Sequence, residues 1–170
     1  SARGILRLVI ERFKLRKRIL WENLLRDLYE WHESDHTASK AGSFPVESEV
    51  PGPSVGDLLN RRSWSASQLQ RTIKALTASK NLIVDADDRL QFTDQGIQAA
   101  QAIVRKHRLW EAYLISHADV ATGMVDLSAD RIEHVLDEEI IRKLEGLFPG
   151  VRPKELPKSP HALKTSGGAV

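Results

Sequence analysis

Two stretches of the chain place metal-ligating side chains at the spacing of a helical turn. His107 and Glu111 are four residues apart, so they share one face if this stretch is helical. Asp130, Glu133 and His134 follow at i, i+3 and i+4, which also puts them on one helix face. Imidazole and carboxylate donors suit divalent transition metals. The two stretches together predict a metal site built from two helices.

Each stretch also has an interpretation without a metal. His107 follows Ile103 and Val104 on an apolar stripe, which is typical of a hydrogen-bonded histidine in a core. Glu111 would then pair with a neighbouring base, and the second stretch would be a solvated polar face. Metal binding is the favoured interpretation because donors recur at helical spacing in both stretches.

The composition is that of an ordinary globular protein. The 170 residues are 41% hydrophobic and 28% charged, with no cysteine, which excludes a disulfide framework and a thiolate metal site. The sequence contains no phosphate-binding loop, no nucleophile elbow and no HExxH motif. These observations predict a protein that is not an enzyme.

The charge is unevenly distributed along the chain. Residues 1–20 contain seven basic residues and a single acidic one, Glu11, although the net charge of the whole chain is only +2. A basic leading segment is typical of contact with a nucleic acid or an anionic membrane. A solvated helix face is an equally good interpretation at this point.

The first half of the chain has the pattern of a winged helix. Apolar periodicity predicts three helices, with the second and third capped by Ser54 and Ser65; they span residues 5–31, 55–62 and 66–79. A Pro- and Gly-rich loop, 32–53, follows the first helix. Residues 82–84 and 89–92 then form a hairpin with an acidic turn. Two helices across a tight turn, followed by a hairpin, indicate a winged helix-turn-helix.

The helix after the tight turn carries candidate DNA contacts. Hydroxyl, amide and cationic side chains can reach phosphates and base edges; here they are Ser65, Ser67, Gln68, Gln70, Arg71 and Lys74. The same residues are also typical of the solvent-exposed face of any helix. Asp85, Asp87 and Asp88 in the hairpin turn would repel phosphate, so the sequence predicts weak DNA binding.

The second half is predicted to be helical. Thr93 caps a helix to about residue 117, and further helices follow at 128–136 and 138–148. The predicted fold is mainly α with a small β-hairpin, a winged helix-turn-helix domain followed by a helical dimerisation domain. The predicted divisions are a basic lead-in (1–20), a winged-helix domain (21–92), a helical metal-binding and dimerisation domain (93–150) and a disordered tail (151–170).

With these motifs in place, the chain resembles the iron- and manganese-dependent repressors, the diphtheria-toxin-repressor family. The resemblance is carried by residues 22–30 (ENLLRDLYE), 92–96 (FTDQG), 104–111 (VRKHRLWE) and 129–136 (ADRIEHVL). It implies a winged-helix DNA-binding domain, a helical domain that forms a homodimer, and a divalent metal as corepressor. It also implies that His107, Glu111, Asp130, Glu133 and His134 are the metal ligands.

The departures from the family pattern concern the metal. Asp130 stands where iron-type members have a sulfur ligand, and a carboxylate there is closer to the manganese-type members. The ligand positions of the first helix fall on Asn23 and Arg26, so the site is incomplete or remodelled. The resemblance implies Mn²⁺ or Fe²⁺ as the metal, with Zn²⁺ as an alternative.

Two functions follow from the resemblance. The basic extension before the first helix resembles the cytosolic stretch after the last span of metal-uptake ABC permeases that carry such a domain at their C-terminus. The expected protein is therefore a metal-responsive module on the cytoplasmic side of the membrane, with the membrane-embedded permease as part of the same longer chain. The alternative is a free-standing, metal-dependent DNA-binding repressor.

Overall fold

The computed structural model describes the backbone of residues 2–36, 51–61, 64–117 and 138–148. In chain order the elements are the helices and strands α1 (Ala2–His36), α2 (Val55–Arg61), α3 (Ala66–Ala78), β1 (Leu82–Val84), β2 (Leu90–Phe92), α4 (Asp94–His117) and α5 (Glu138–Leu147). This order confirms the predicted fold class, mainly α with one small hairpin. The predicted helix 128–136 and the predicted disordered tail lie outside the described residues.

The chain divides into two compact units, residues 1–100 and 101–170. In the first unit, α3 packs against α1, α2 and β1. Its core is mostly leucine, including Leu24 and Leu28 of α1, Leu58 of α2, and Leu69 and Leu76 of α3. None of the described helices is long and apolar enough to cross a lipid bilayer.

Helix α1 is longer than the sequence pattern indicated. The predicted loop was to begin at residue 32, whereas α1 continues to His36, so the prediction is wrong for residues 32–36. Nothing from His32 to His36 is a helix breaker. The His32 ring is buried, with its centroid 5.9 Å from that of Phe92. Tertiary packing therefore carries the helix past the end of its apolar stripe.

Three helices begin at the hydroxyl caps that the sequence predicted. Ser65 Oγ accepts a hydrogen bond from the Gln68 amide at 3.3 Å, and Thr93 Oγ1 accepts one from the Gly96 amide at 3.0 Å. Ser54 Oγ accepts from the Asp57 amide at 3.2 Å, while Asp57 Oδ2 accepts from both the Ser54 amide and the Ser54 hydroxyl. This reciprocal pair is a capping box in which aspartate stands at the third position.

The hairpin forms the wing. Strands β1 and β2 are antiparallel, with Leu82 opposite Phe92 and Val84 opposite Leu90. Residues before α2 extend this sheet, because Ser54 bridges to Arg89 and the Leu90 amide donates to the Pro53 carbonyl at 3.1 Å. The short segment just before α2 therefore lies beside the wing.

The turn of the wing is organised by Asp85. Its Oδ1 accepts the amides of Asp87 and Arg89, both at 2.9 Å, and its Oδ2 accepts the Gln91 amide group at 3.1 Å. These bonds, led by the one from the Arg89 amide, lower the pKa of the Asp85 carboxyl below its ordinary value. Asp88 adopts a left-handed conformation with φ of 56°, which aspartate tolerates in turns. One member of the predicted acidic turn is thus structural.

The end of α3, the wing and the start of α4 meet at one junction. Helix α3 ends in a Schellman motif, with Lys80 left-handed at φ of 60° and the Asn81 amide donating to the Leu76 carbonyl at 2.9 Å. Gly96 lies against the Asn81 carbonyl, where a Cβ atom would overlap the oxygen. The Thr93 amide also donates to the Asn81 carbonyl, at 3.1 Å. The junction therefore requires glycine at residue 96.

In the second unit, α5 packs on α4 around Leu109 and Leu144. The Trp110 and Tyr113 rings stack beside this core with centroids 5.0 Å apart. Arg105 donates to Glu145 Oε1 through Nε at 2.9 Å and Nη2 at 2.8 Å. An apolar contact and an ion pair therefore both hold the two helices together.

The capping box predicts a pH dependence. The bonds from the Ser54 hydroxyl and then the Ser54 amide hold the pKa of the Asp57 carboxyl below its ordinary value of 3.8. Because the folded-state value is depressed, the carboxylate's contribution to stability is present above pH 3.8 and is lost as the pH falls through the lower, folded-state value. We expect Ser54→Ala to raise the Asp57 pKa toward 3.8 and to cost about 1 kcal/mol of stability.

An NMR titration of the Asp57 carboxyl measures this shift. The matched control is Ser65→Ala, which removes the equivalent cap of α3 without touching Asp57. The control should lower the melting temperature and leave the Asp57 pKa unchanged. An equal pKa in the wild type and in Ser54→Ala would contradict the assignment.

Candidate metal centre and recognition surface

His107 and Glu111 form a buried pair on α4. The two side chains lie on the same face of the helix, one turn apart, with His107 Nε2 3.3 Å from Glu111 Oε1. His107 is 3% exposed and Glu111 is 1% exposed. A carboxylate and an imidazole are costly to bury unless a partner satisfies them. The predicted side-by-side placement of these two donors is thus what the structure shows.

The pair lies between residues that hold the second unit together. Leu109 lies between the two donors in sequence and is fully buried. Val104, about one helical turn before His107, is also fully buried. Arg105, two residues before His107, forms an ion pair with Glu145 of α5. A donor pair on a helix that is anchored on both sides is held in a fixed orientation, which is what a metal site requires.

The donor types at this pair fit a divalent transition metal. An imidazole nitrogen and a carboxylate oxygen are ligands for Mn²⁺, Fe²⁺ and Zn²⁺. In the described part of the chain, no group of three or more histidine, aspartate or glutamate side chains is placed to hold a metal ion. A complete site therefore needs further ligands, and the other three predicted ones, Asp130, Glu133 and His134, lie outside the described residues.

The first-helix positions carry different chemistry. Arg26 is 1% exposed, and its Nε lies 3.6 Å from Glu30 Oε1, one turn along α1. Asn23 has a buried Oδ1 that accepts no hydrogen bond from any described residue. A guanidinium is a donor group that does not bind a metal. Where the family resemblance places a metal ligand, this helix therefore carries the buried cation Arg26, beside the carboxylate of Glu30.

Helix α3 presents the predicted DNA contacts on its outer face. Its inner face buries Leu69, Thr72, Ile73 and Leu76. All six candidates are exposed; they are Ser65, Ser67, Gln68, Gln70, Arg71 and Lys74. Their placement on one accessible helix face is what groove contact would need.

Some of these side chains also have local partners. Ser65 Oγ caps the helix and donates to Gln68 Oε1 at 3.0 Å, and Arg71 Nε donates to the Ser67 carbonyl at 3.0 Å. The Arg71 guanidinium has further N–H groups for an anion. Lys74 and Gln70 are exposed on the same face, which makes Lys74 the clearest candidate for a phosphate contact.

A contact that the sequence motifs do not reveal fixes the start of α3. Trp64, in the turn between α2 and α3, donates from Nε1 to Asp27 Oδ2 at 3.0 Å. Asp27 is buried on α1, and the two residues are 37 positions apart. A hydrogen bond to a buried carboxylate is among the stronger protein hydrogen bonds. It orients the turn that leads into α3.

The fold is that of metal-dependent regulators with a winged helix. The structure superposes on the manganese regulator SloR with a TM-score of 0.61, over 81% of this chain and 59% of that one, at 22% sequence identity. At this identity the similarity concerns the fold. It confirms the winged helix followed by a helical domain that the sequence predicted.

Sequence comparisons point to the same class. Residues 93–158 match the family described as iron dependent repressor, metal binding and dimerisation domain. The iron-dependent repressor IdeR of Mycobacterium bovis is 30% identical over 101 residues, which are 59% of this chain and 44% of that protein. The resemblance of this chain to iron-dependent repressors is thereby confirmed, and the relatives found here carry the names of regulators rather than of enzymes.

A membrane protein is also among the relatives. A probable metal transport system membrane protein of Chlamydia trachomatis serovar D is 36% identical over 87 residues, which are 49% of this chain and 19% of that protein. The chain therefore spans less than half the length of either of these curated relatives.

Proposed function

We propose that this chain is the metal-responsive regulatory domain of a divalent-metal transporter. The observation that carries the proposal is the buried His107–Glu111 pair, which lies within the residues that match the metal-binding family. A solvent-excluded imidazole and carboxylate on one helix face give a metal two ligands that are already oriented. The bound metal would supply the positive charge that joins these donors to ligands elsewhere in the chain.

The proposed ligand set extends to the second predicted helix. Asp130, Glu133 and His134 would complete the set, giving imidazole and carboxylate donors without sulfur, and this combination favours Mn²⁺ or Fe²⁺ and also accepts Zn²⁺. The names of the relatives support this choice, since they are an iron-dependent repressor and a manganese regulator.

The proposed place in a transporter rests on the membrane relative. The similarity covers 19% of that protein, so a domain of this kind occupies a small part of a much longer membrane-transport chain. By analogy, we propose that this chain lies on the cytoplasmic face of the cell membrane and continues from a membrane-embedded permease. Metal binding would then report the metal level on the side to which the permease delivers it.

A metal titration tests the proposal. We expect calorimetry to detect Mn²⁺ and Zn²⁺ binding to the wild type, and we expect His107→Ala and His134→Ala each to weaken it at least tenfold. Lys143→Gln is the matched control, because it removes the exposed ion pair with Glu139 but neither a proposed ligand nor a contact that anchors the donor pair. Melting curves in EDTA check that each variant folds. If the wild type shows neither heat nor a thermal shift, or if His107→Ala binds as tightly, the proposed site is wrong.

We also propose that the second unit forms a homodimer. Its matched family is a dimerisation domain, and its surface exposes Ile115 on α4 together with Ile140 and Leu147 on α5. Leu114, one turn after Trp110 on α4, is buried in the described structure and is therefore not available for an interface. The three exposed side chains are the better candidates for the interface, since exposed apolar groups mark association sites.

Sedimentation velocity over a concentration series tests the dimer. We expect Leu147→Arg to shift the protein to the monomer while its circular dichroism spectrum stays that of the folded wild type, because Leu147 is 50% exposed. Phe13→Ser, which alters an exposed apolar residue of the first unit, serves as the control and should leave the dimer intact. A wild type that stays monomeric at high concentration would contradict the proposal.

The second candidate function is that of a free-standing repressor, favoured by the exposed polar face of α3. The two functions differ in the DNA affinity that they require. For the transporter domain we expect weak, non-specific binding, with dissociation constants of roughly 10⁻⁴ to 10⁻⁶ M at physiological salt. The wing supports this expectation, because Asp87 and Asp88 are exposed there.

Fluorescence polarisation on genomic fragments at several salt concentrations separates the two. Lys74→Gln should weaken binding evenly across sequences and reduce the salt slope by about 1. Lys143→Gln makes the same charge change on α5, where Lys143 pairs with Glu139, and should have no effect. Tight, metal-dependent and sequence-selective binding at physiological salt would establish the repressor function instead.

A further inference from the structure

Helix α1 has two halves of different character. From Glu22 to Tyr29 most of its residues are buried. From Arg12 to Arg18 every residue is exposed, and five of these seven are arginine or lysine, with no acidic residue among them. The exposed half therefore forms a strongly basic rod that the core of the first unit does not cover.

Exposed apolar side chains alternate with these charges. Phe13 is 67% exposed, Ile10 is 44% exposed and Leu15 is 40% exposed. Residues at i, i+3, i+4 and i+7 share a helix face, so Ile10, Phe13, Lys14 and Lys17 lie together. We call this set, with Trp21 one turn further along, the basic apolar face.

The far end of the basic apolar face has a defined geometry. The Lys17 ammonium lies 4.9 Å from the centre of the Trp21 ring, which is a cation–π contact. Trp21 is half-buried, so its position is set by the folded part of the unit. Next to it, Arg18 Nε donates to Glu22 Oε1 at 2.7 Å. The face is therefore anchored at Trp21 and extends toward Ile10.

The combination of groups distinguishes among possible partners. Nucleic acid would satisfy the cations but would leave Phe13 and Ile10 in water, since phosphate contacts are polar. A second copy of the same basic face would bring like charges together. The surface of an anionic bilayer satisfies both kinds of group, because its phosphates attract lysine and arginine while aromatic and aliphatic side chains enter the headgroup region.

We propose that residues 10–21 of α1 lie along the surface of a bilayer rich in anionic phospholipids, with Phe13 and Trp21 in the headgroup region. The contact rests on the proposed function for its setting, since it would place the regulatory domain against the membrane that holds the transporter. It requires no metal and no DNA. Lysines at positions 14 and 17 contact the lipid phosphates.

Vesicle flotation of the whole chain in EDTA tests the contact. The probes are vesicles of phosphatidylcholine alone and vesicles containing phosphatidylglycerol in addition. We expect at least tenfold stronger binding to the anionic vesicles and loss of that binding as salt rises. The double variant Lys14→Gln/Lys17→Gln should lose about fivefold per lysine, and Phe13→Ser should weaken binding by roughly fivefold or more.

The matched control is Arg71→Gln/Lys74→Gln, which removes the same charge from the exposed face of α3. It should bind the anionic vesicles as the wild type does. A second readout is quenching of tryptophan fluorescence by brominated lipid, which should fall sharply in Trp21→Phe. Equal binding to both kinds of vesicle, or an equal loss in the control, overturns the proposal.

Other partners would show themselves in the same set of variants. If Lys14→Gln/Lys17→Gln lowers DNA binding and leaves vesicle binding unchanged, the face binds nucleic acid and the proposal is wrong. If Phe13→Ser dissociates a dimer and leaves vesicle binding unchanged, the face binds a second copy and the proposal is also wrong. Because the vesicle assays contain EDTA, they do not depend on metal binding. A failed metal titration therefore does not contradict the membrane contact, and failed vesicle binding does not contradict the metal site.

Discussion

The close approach of Gly96 to the Asn81 carbonyl is the contact on which the arrangement of the first unit depends. It brings the C-terminus of α3, the beginning of the wing and the N-terminus of α4 to one point. Any side chain at residue 96 would force these three elements apart. Thr93 reinforces the junction, because its hydroxyl donates to the Lys80 carbonyl at 2.6 Å while its oxygen caps α4.

This junction serves both proposed sites. On one side it holds the end of α3, whose exposed face carries the candidate DNA contacts. On the other side it starts α4, which carries His107 and Glu111 further along. The start of α3 is held separately, by the hydrogen bond from Trp64 to Asp27 of α1. Helix α3 is thus fixed at both ends by polar contacts, with its buried face packed between them.

Helix α1 shows how one element can serve a fold and a surface. Its second half is part of the core, and there Arg26 is buried beside Glu30. A buried guanidinium is costly unless it is paired, and the Glu30 carboxylate one turn along the helix supplies part of that compensation. Between Arg12 and Arg18 the helix instead exposes cations together with the aromatic ring of Phe13. The change from one role to the other falls near Trp21, where the ring contacts Lys17.

The sequence by itself determined the local structure and the chemistry of the sites. Hydroxyl caps at Ser54, Ser65 and Thr93, the strand pattern of the wing, and the spacing of His107 and Glu111 follow from interactions within a few residues, and the structure confirms them. Tertiary structure alone decided the extension of α1 to His36, the bond between Trp64 and Asp27, and the burial of Leu114. These features depend on which surfaces meet across the fold, and residues distant in sequence leave no periodic signal of such a meeting.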